Sequence, residues 1–264
     1  MSNRMIIGKF VDTGSWIHRL DPRSKTIAML LFMVAIFLVN TFQEIGIVAL
    51  FAFVIMWSTK IPLRLYIRSL KPLLFLMIFI FVFHLLFEAS GTQLLNMGPI
   101  KLYAGGLEKG TLSVSRMILF VSFTAILTLT TPPLRLTQGL EAIMQPLKWL
   151  HMSPRKVTLM LSISLRFIPT VFEEADKILK AQASRGLDLK DQSLGRKARL
   201  LISLLVPVTI SAIRRAEELV DSMESRGYQL NKPRSRFHSL RWQQLDSLLV
   251  LAVIILLLIV GLPS

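Results

Sequence analysis

Hydrophobic and polar positions divide this chain into five apolar runs, at 26–42, 45–57, 72–87, 111–131 and 247–262, and one long mixed stretch between the fourth and fifth. A helix that crosses a bilayer needs roughly 20 predominantly apolar residues, about 17–25 in practice. The fourth run meets this although it carries Arg116, and the first, third and fifth meet it with their flanks. The second is short and fits a tilted span, a re-entrant segment or a hairpin with the first through 40–44.

The mixed stretch, 132–245, has a helical period. Pro132-Pro133 ends the fourth run, because proline lacks the N–H a helix needs. A short helix is predicted over 137–150. Ser153-Pro154 has the form of a helix start, with serine as N-cap and proline in the first turn. Beyond it Phe167, Val171, Ala175 and Ile178 recur at helical spacing, with Ile168, Phe172 and Leu179 alongside. Gly186 is the candidate C-cap. A second helix carries Leu200, Leu204, Leu205, Val208, Ile213, Leu219 and Met223 on its apolar face and ends at Gly227. Its 200–213 portion resembles a span in hydropathy, but Pro207 and the flanking Arg199, Arg214 and Arg215 predict an interfacial or bundled helix. The fold class is therefore all-α: a polytopic membrane protein of about five transmembrane helices with an arm of amphipathic helices. The expected divisions are a membrane domain at 1–131, the arm at 132–245 and a final transmembrane helix at 246–264.

Composition agrees with a membrane protein: 53% of the 264 residues are hydrophobic and mean hydropathy is +0.57. The net charge of +15 is decided by where the charges sit. Of 31 Lys and Arg, 28 fall before the first run, between the second and third, or in 132–245. Loops retained in the cytoplasm keep such residues. Five spans with a cytoplasmic amino terminus put every rich segment on one side, 132–245 included, and the carboxyl terminus outside. The first 25 residues lack the apolar core of a cleavable signal, so insertion is expected to use the hydrophobic runs themselves. Cysteine is absent, which excludes disulfides, thiolate catalysis and zinc–cysteine sites.

Ser-Arg-Gly occurs twice, at Ser184-Arg185-Gly186 and Ser225-Arg226-Gly227. Aligning the copies at their offset of 41 places Ala175-Asp176-Lys177-Ile178-Leu179 over Ala216-Glu217-Glu218-Leu219-Val220, and Pro169 and Pro207 lie upstream. A plain helix end accounts for one copy, since arginine suits the negative terminus and glycine the left-handed turn. Two matched copies point to docking. Arginine offers a planar fork of five donors, and a helix tip presents it to an acidic groove on another subunit.

The pattern resembles the transmembrane T component of energy-coupling factor (ECF) transporters, the ATP-driven importers of vitamins and of nickel or cobalt ions in prokaryotes. The segment from Ser15-Trp16-Ile17-His18 through Asp21-Pro22-Arg23-Ser24-Lys25 resembles that family's opening, and Leu165-Arg166-Phe167-Ile168-Pro169 fits as well. Both motifs here begin with Ser where Ala is also common in the family. The resemblance covers about residues 15–230. It implies that Ser184, Arg185 and Gly186, and Ser225, Arg226 and Gly227, bind two ABC-type ATPase subunits, one tip each. It also implies that the amphipathic helices are coupling helices and that a separate membrane S subunit captures the substrate. The cofactors, ATP and Mg, would belong to the partner ATPases and none to this chain. The expected location is the prokaryotic cell membrane, as a multi-pass protein.

No Gly-x-x-x-x-Gly-Lys-Ser/Thr loop is present, so the chain is not expected to be an enzyme. His18, His84, His151 and His238 are scattered without metal spacing. Gly105-Gly106 reads as a turn before the fourth run, His84 with Glu88 as a polar pair, and Arg116 as a snorkelling side chain. Two rivals remain. A conventional ABC importer permease carries a Glu-Ala-Ala loop; Glu174-Ala175 starts like one, but Gly186 comes too late. A membrane-anchored nucleic-acid-binding protein would use the basic insert. Its 19 basic residues are interleaved with 10 acidic ones, a weak pattern for tracking phosphates, so no nucleic-acid partner is expected.

Overall fold

A computed structural model describes residues 10–97, 100–145, 153–184, 194–229 and 240–261. The helices are α1 (Trp16–Arg19), α2 (Pro22–Leu38), α3 (Phe42–Ser58), α4 (Leu63–Leu70), α5 (Leu74–Phe87), α6 (Ala104–Thr130), α7 (Pro133–Ile143), α8 (Pro154–Ser184), α9 (Leu194–Ser225) and α10 (Gln244–Gly261). A 3-10 turn, Lys71–Leu73, joins α4 to α5. The chain divides into two compact units, Met1–Ile143 with Leu240–Ser264, and Met144–Ser239.

The first unit is built around α6, which packs against α2, α3, α4 and α5, while α10 runs along α2. Its centre is aromatic: Phe32 of α2 stacks on Phe123 of α6 at 3.8 Å between centroids and on Phe51 of α3 at 6.2 Å. Three helices among the described residues are long and apolar enough to cross a membrane: the continuous Leu63–Phe87, Ala104–Thr130 and Gln244–Gly261. The helices of the first two runs, α2 and α3, have 17 residues each, about 25 Å, the short end of a spanning helix. They are separate elements because Thr41 and Glu44 form a capping box that starts α3 afresh. The Glu44 carboxylate accepts from the N–H groups of Asn40 and Thr41, at 2.6 and 3.2 Å.

The structure revises several expectations. Gly105-Gly106 is the first turn of α6, not a loop; a Cβ on Gly106 would lie 2.7 Å from the carbonyl oxygen of His84, so glycine lets α6 close on α5. The loop before α6 holds an antiparallel hairpin, β1 (Gln93–Met97) with β2 (Ile100–Tyr103). His84 and Glu88 do not pair with each other: His84 Nε2 lies 3.3 Å from Ser113 Oγ, and Glu88 accepts from Lys109 Nζ at 2.7 Å. The Lys109 ammonium, with Ser90 adding a hydrogen bond, holds the Glu88 carboxyl below the usual carboxylate range. Arg116 does not snorkel; its guanidinium donates to the carbonyl of Val39 at the end of α2, where the helix dipole favours a cation. Of the helix expected over 137–150, the described part is α7, which starts earlier, at Pro133, and belongs to the first unit; residues 146–150 lie outside the described residues. Gly139 fixes that attachment, since a Cβ there would meet Pro22 at 3.1 Å.

The family-like opening, residues 15–25, ties the helix ends of this unit together. His18 donates from Nε2 to the carbonyl of Val11 at 2.8 Å and accepts at Nδ1 from Ser15 Oγ at 2.6 Å. Asp21 caps α2 by accepting from the Arg23 N–H at 2.9 Å. Lys25, buried, donates from Nζ to Thr130 O at 3.3 Å and to Thr131 Oγ1 at 3.1 Å, at the end of α6. Asp246 of α10 is fully buried and accepts from three donors: Asp21 N–H at 2.8 Å, Ser24 Oγ at 2.6 Å and Gln243 N–H at 2.7 Å.

Candidate docking site

The second unit is α8 and α9 packed on one another. Each is over 30 residues long and keeps one internal proline, Pro169 in α8 and Pro207 in α9. On α8 the half-buried positions include Phe167, Val171, Ala175 and Ile178 of the stripe read from sequence, with Glu174 and Gln182 beside them, whereas Phe172 and Leu179 are exposed. On α9 the half-buried stripe is Val208, Ala212, Arg215, Leu219 and Met223. Part of the apolar face expected to be buried there is open, with Leu205, Ile213 and Val220 more than half exposed.

An ion pair crosses between the two helices: Arg215 Nη2 donates to Glu174 Oε2 at 2.8 Å. These residues are 41 apart, the offset of the repeat, and each lies ten residues before the serine of its own Ser-Arg-Gly. Equivalent positions of the repeat therefore meet each other. At 1.5 Å per residue each tip is about 15 Å from the crossing. The covalent connection from Ser184 to Leu194 limits how parallel the helices can run. For straight axes, a chain reaching about 3.6 Å per residue requires them to diverge by roughly 85° or more. The two tips then lie about 20–30 Å apart on the same arithmetic. Because both side chains are partly exposed, the pair is worth no more than ~1 kcal/mol. Glu174→Gln is expected to lower the thermal midpoint of the chain by only a few degrees, and Glu174→Arg with Arg215→Glu to restore it. A thermal melt of the three proteins measures this, and a swapped double variant no better than either single change would show that the ion pair does not hold the crossing.

The second tip lies within the described residues. Helix α9 ends at Ser225, and Gly227 follows with φ +70°, the left-handed region. The Tyr228 N–H donates to Met223 O at 3.0 Å and the Gly227 N–H to Glu224 O at 2.8 Å, the paired bonds of a Schellman end. Arg226 sits between helix and glycine. It is exposed, and no hydrogen bond or ion pair holds its guanidinium among the described residues. Ser225 turns back on its own helix, donating from Oγ to Ser222 O at 3.1 Å. The acidic residues Glu217, Glu218, Asp221 and Glu224 are exposed and do not pair with Arg226. The first tip is described only as far as Ser184, which donates to Lys180 O at 3.1 Å; Arg185 and Gly186 lie outside the described residues. The structure thus keeps Ser225, Arg226 and Gly227 together at one solvent-facing tip. Gly227→Ala would strain the turn by about 1 kcal/mol. The expected result is fraying of the last turn of α9, read as faster amide exchange over 222–228; unchanged exchange there would contradict it.

Residues 13–238 match the family described as cobalt transport protein, CbiQ. The chain is 40% identical over 256 residues to the energy-coupling factor transporter transmembrane protein EcfT of Bacillus subtilis (strain 168), covering 97% of both chains. It is 38% identical to the EcfT of Listeria innocua, again over 97% of both, and 37% identical to that of Macrococcus caseolyticus over 98% of both. The chain belongs to the EcfT family. It is the non-catalytic transmembrane component of an ECF-type transporter, and that membership displaces the permease and nucleic-acid readings. Sequence reasoning identified both motifs but not the Glu174–Arg215 pair. Its signal was present, one position before the aligned block, as opposite charges at matched repeat positions.

Proposed function

We propose that this EcfT-family chain couples two ABC-type ATPase subunits to a separate substrate-capturing membrane subunit, with Arg185 and Arg226 as the two docking residues. The free, exposed guanidinium of Arg226 on a Schellman-capped tip carries the reading. An arginine with no partner among the described residues is available to an acidic groove elsewhere. The repeat extends the argument to Arg185, and the estimated spacing of the tips suits two binding grooves rather than one.

In this reading α8 and α9 are coupling helices lying on the cytoplasmic side with the amino terminus. The tips follow the ATPases as these close on ATP and Mg, which the partners hold. Helices packed on one another, with Glu174–Arg215 at the crossing, transmit that motion as levers rather than sliding independently. The exposed apolar positions Leu205, Ile213 and Val220 offer contact to the captured subunit or to lipid. The cargo class is vitamins or metal ions, and the location is the prokaryotic cell membrane.

Affinity purification of the tagged chain in mild detergent, followed by identification of the co-purifying chains, tests the assignment. Two ATPase subunits and at least one small membrane subunit are expected. A chain that purifies without any nucleotide-hydrolysing partner, under conditions where uptake persists, would overturn it.

A further inference from the structure

The first unit carries a basic stripe that the coupling function does not use. Arg64, Arg68 and Lys71 recur at steps of four and three, which places them along one face of α4 and the 3-10 turn after it, and Lys60 lies in the turn before α4. All four are exposed, and none makes a side-chain hydrogen bond or ion pair among the described residues. The opposite face is anchored: Tyr66 is 2% exposed, its hydroxyl shares a hydrogen bond with Thr59 Oγ1 at 2.9 Å, and α4 packs on α6. Beside the basic stripe runs an apolar one, Leu63, Ile67 and Leu74, each more than half exposed. Basic beside apolar, both turned outward, is the pattern of a helix lying at a membrane interface.

Length fixes the depth. Leu63–Phe87 is one continuous helical segment of 25 residues, about 37 Å against a hydrocarbon core of about 30 Å. The excess of roughly five residues falls on the α4 end, because α4 carries Arg64 and Arg68 whereas α5 is apolar except for His84. Arg64 lies in that excess, and Arg68 and Lys71, within about one turn further in, reach the level of lipid phosphates by extending their long side chains outward. Two tryptophans mark the same level: Trp57, 73% exposed at the end of α3, and Trp16, whose indole N–H donates to Ser58 Oγ.

We propose that the Lys60–Arg64–Arg68–Lys71 stripe is a binding surface for anionic phospholipid headgroups, with Leu63, Ile67 and Leu74 against the acyl chains below. The occupant is lipid rather than an acidic protein, because the apolar stripe continues without interruption into the lipid-length face of α5. The basic head groups reach the level at which a bilayer has phosphates. This inference rests on the membrane fold alone and does not depend on what docks at Arg226.

The test uses the full-length chain in nanodiscs, with spin-labelled phosphatidylglycerol competed against spin-labelled phosphatidylcholine. Wild type is expected to favour phosphatidylglycerol tenfold or more at low salt. The variant Arg64→Gln/Arg68→Gln/Lys71→Gln should fall to within about twofold, since each basic residue near an anionic surface is worth roughly fivefold. The swap Arg64→Lys/Arg68→Lys/Lys71→Arg keeps the charges and should keep most of the preference. Raising salt should erode the wild-type preference, and that titration decides the matter if the glutamine variant fails to insert. The proposal is overturned by a wild type without preference, by a preference indifferent to salt, or by loss of preference in the charge-keeping swap. It is equally overturned if the glutamine variant keeps its lipid preference and instead loses a co-purifying protein.

Discussion

Arg185→Ala combined with Arg226→Ala leaves the chain inserted in the membrane, strips it of both ATPase subunits and abolishes uptake. The substitution at 226 does not touch the packing of α8 on α9. Arg226 is exposed and unpaired among the described residues, and the Schellman end is made by backbone groups of Met223, Glu224, Gly227 and Tyr228 that alanine leaves in place. The loss therefore falls on the interface. Truncating one partner of a buried, hydrogen-bonded charge pair costs about 2–5 kcal/mol, which removes most of the affinity at each tip. Single changes are expected to weaken co-purification and the double change to end it, since the second tip keeps the complex together at high effective concentration. Arg→Lys at both tips should rescue poorly, because an ammonium cannot reproduce a bidentate fork. Co-purification and uptake assays on the four proteins measure this. ATPases retained at wild-type level by the double alanine variant would remove the docking role.

The largest stability effect is expected in the first unit. Asp246→Ala takes the acceptor from three donors: the buried Asp21 N–H, the buried Ser24 Oγ, which keeps the Asp21 carbonyl at 2.8 Å, and the part-buried Gln243 N–H. Each orphaned buried group costs about 1–3 kcal/mol. Even with partial relaxation, the sum is about 4 kcal/mol, a drop on the order of 10 °C in thermal midpoint for a chain of this size. Asp246→Asn keeps one carbonyl acceptor and should lose about half as much. Melts followed by tryptophan fluorescence in mild detergent measure the difference; an alanine variant within a degree of wild type would show that α10 is held on α2 by apolar packing alone.

Asp246 also shows where the sequence could not be read. As one acidic residue at the edge of an apolar run, it resembles any interfacial charge. Its three donors come from residues 21, 24 and 243, two of them more than 220 positions away. Lys25 is similar: counted among the basic residues of a cytoplasmic end, it is a buried donor to the terminal groups of α6. The Gly105-Gly106 pair misled because glycines signal a turn locally, whereas their use here is close approach to α5, a tertiary fact. The apolar runs themselves were legible because a span is a local, one-dimensional property. Boundaries moved where a cap or a packed glycine decides them, as at Thr41 and Gly139. At the docking site, repetition made the second tip readable: an apolar stripe, a serine, an arginine and a glycine appear in order, and Gly227 takes the left-handed turn that its identity predicts.

A photoreactive crosslinker placed at position 226, and separately at 185, in the assembled transporter tests the central claim most directly. The account predicts that each position captures an ATPase subunit, in distinct adducts, and that both yields change with bound nucleotide. Adducts only with lipid or with externally added reagents, at either position, would contradict it.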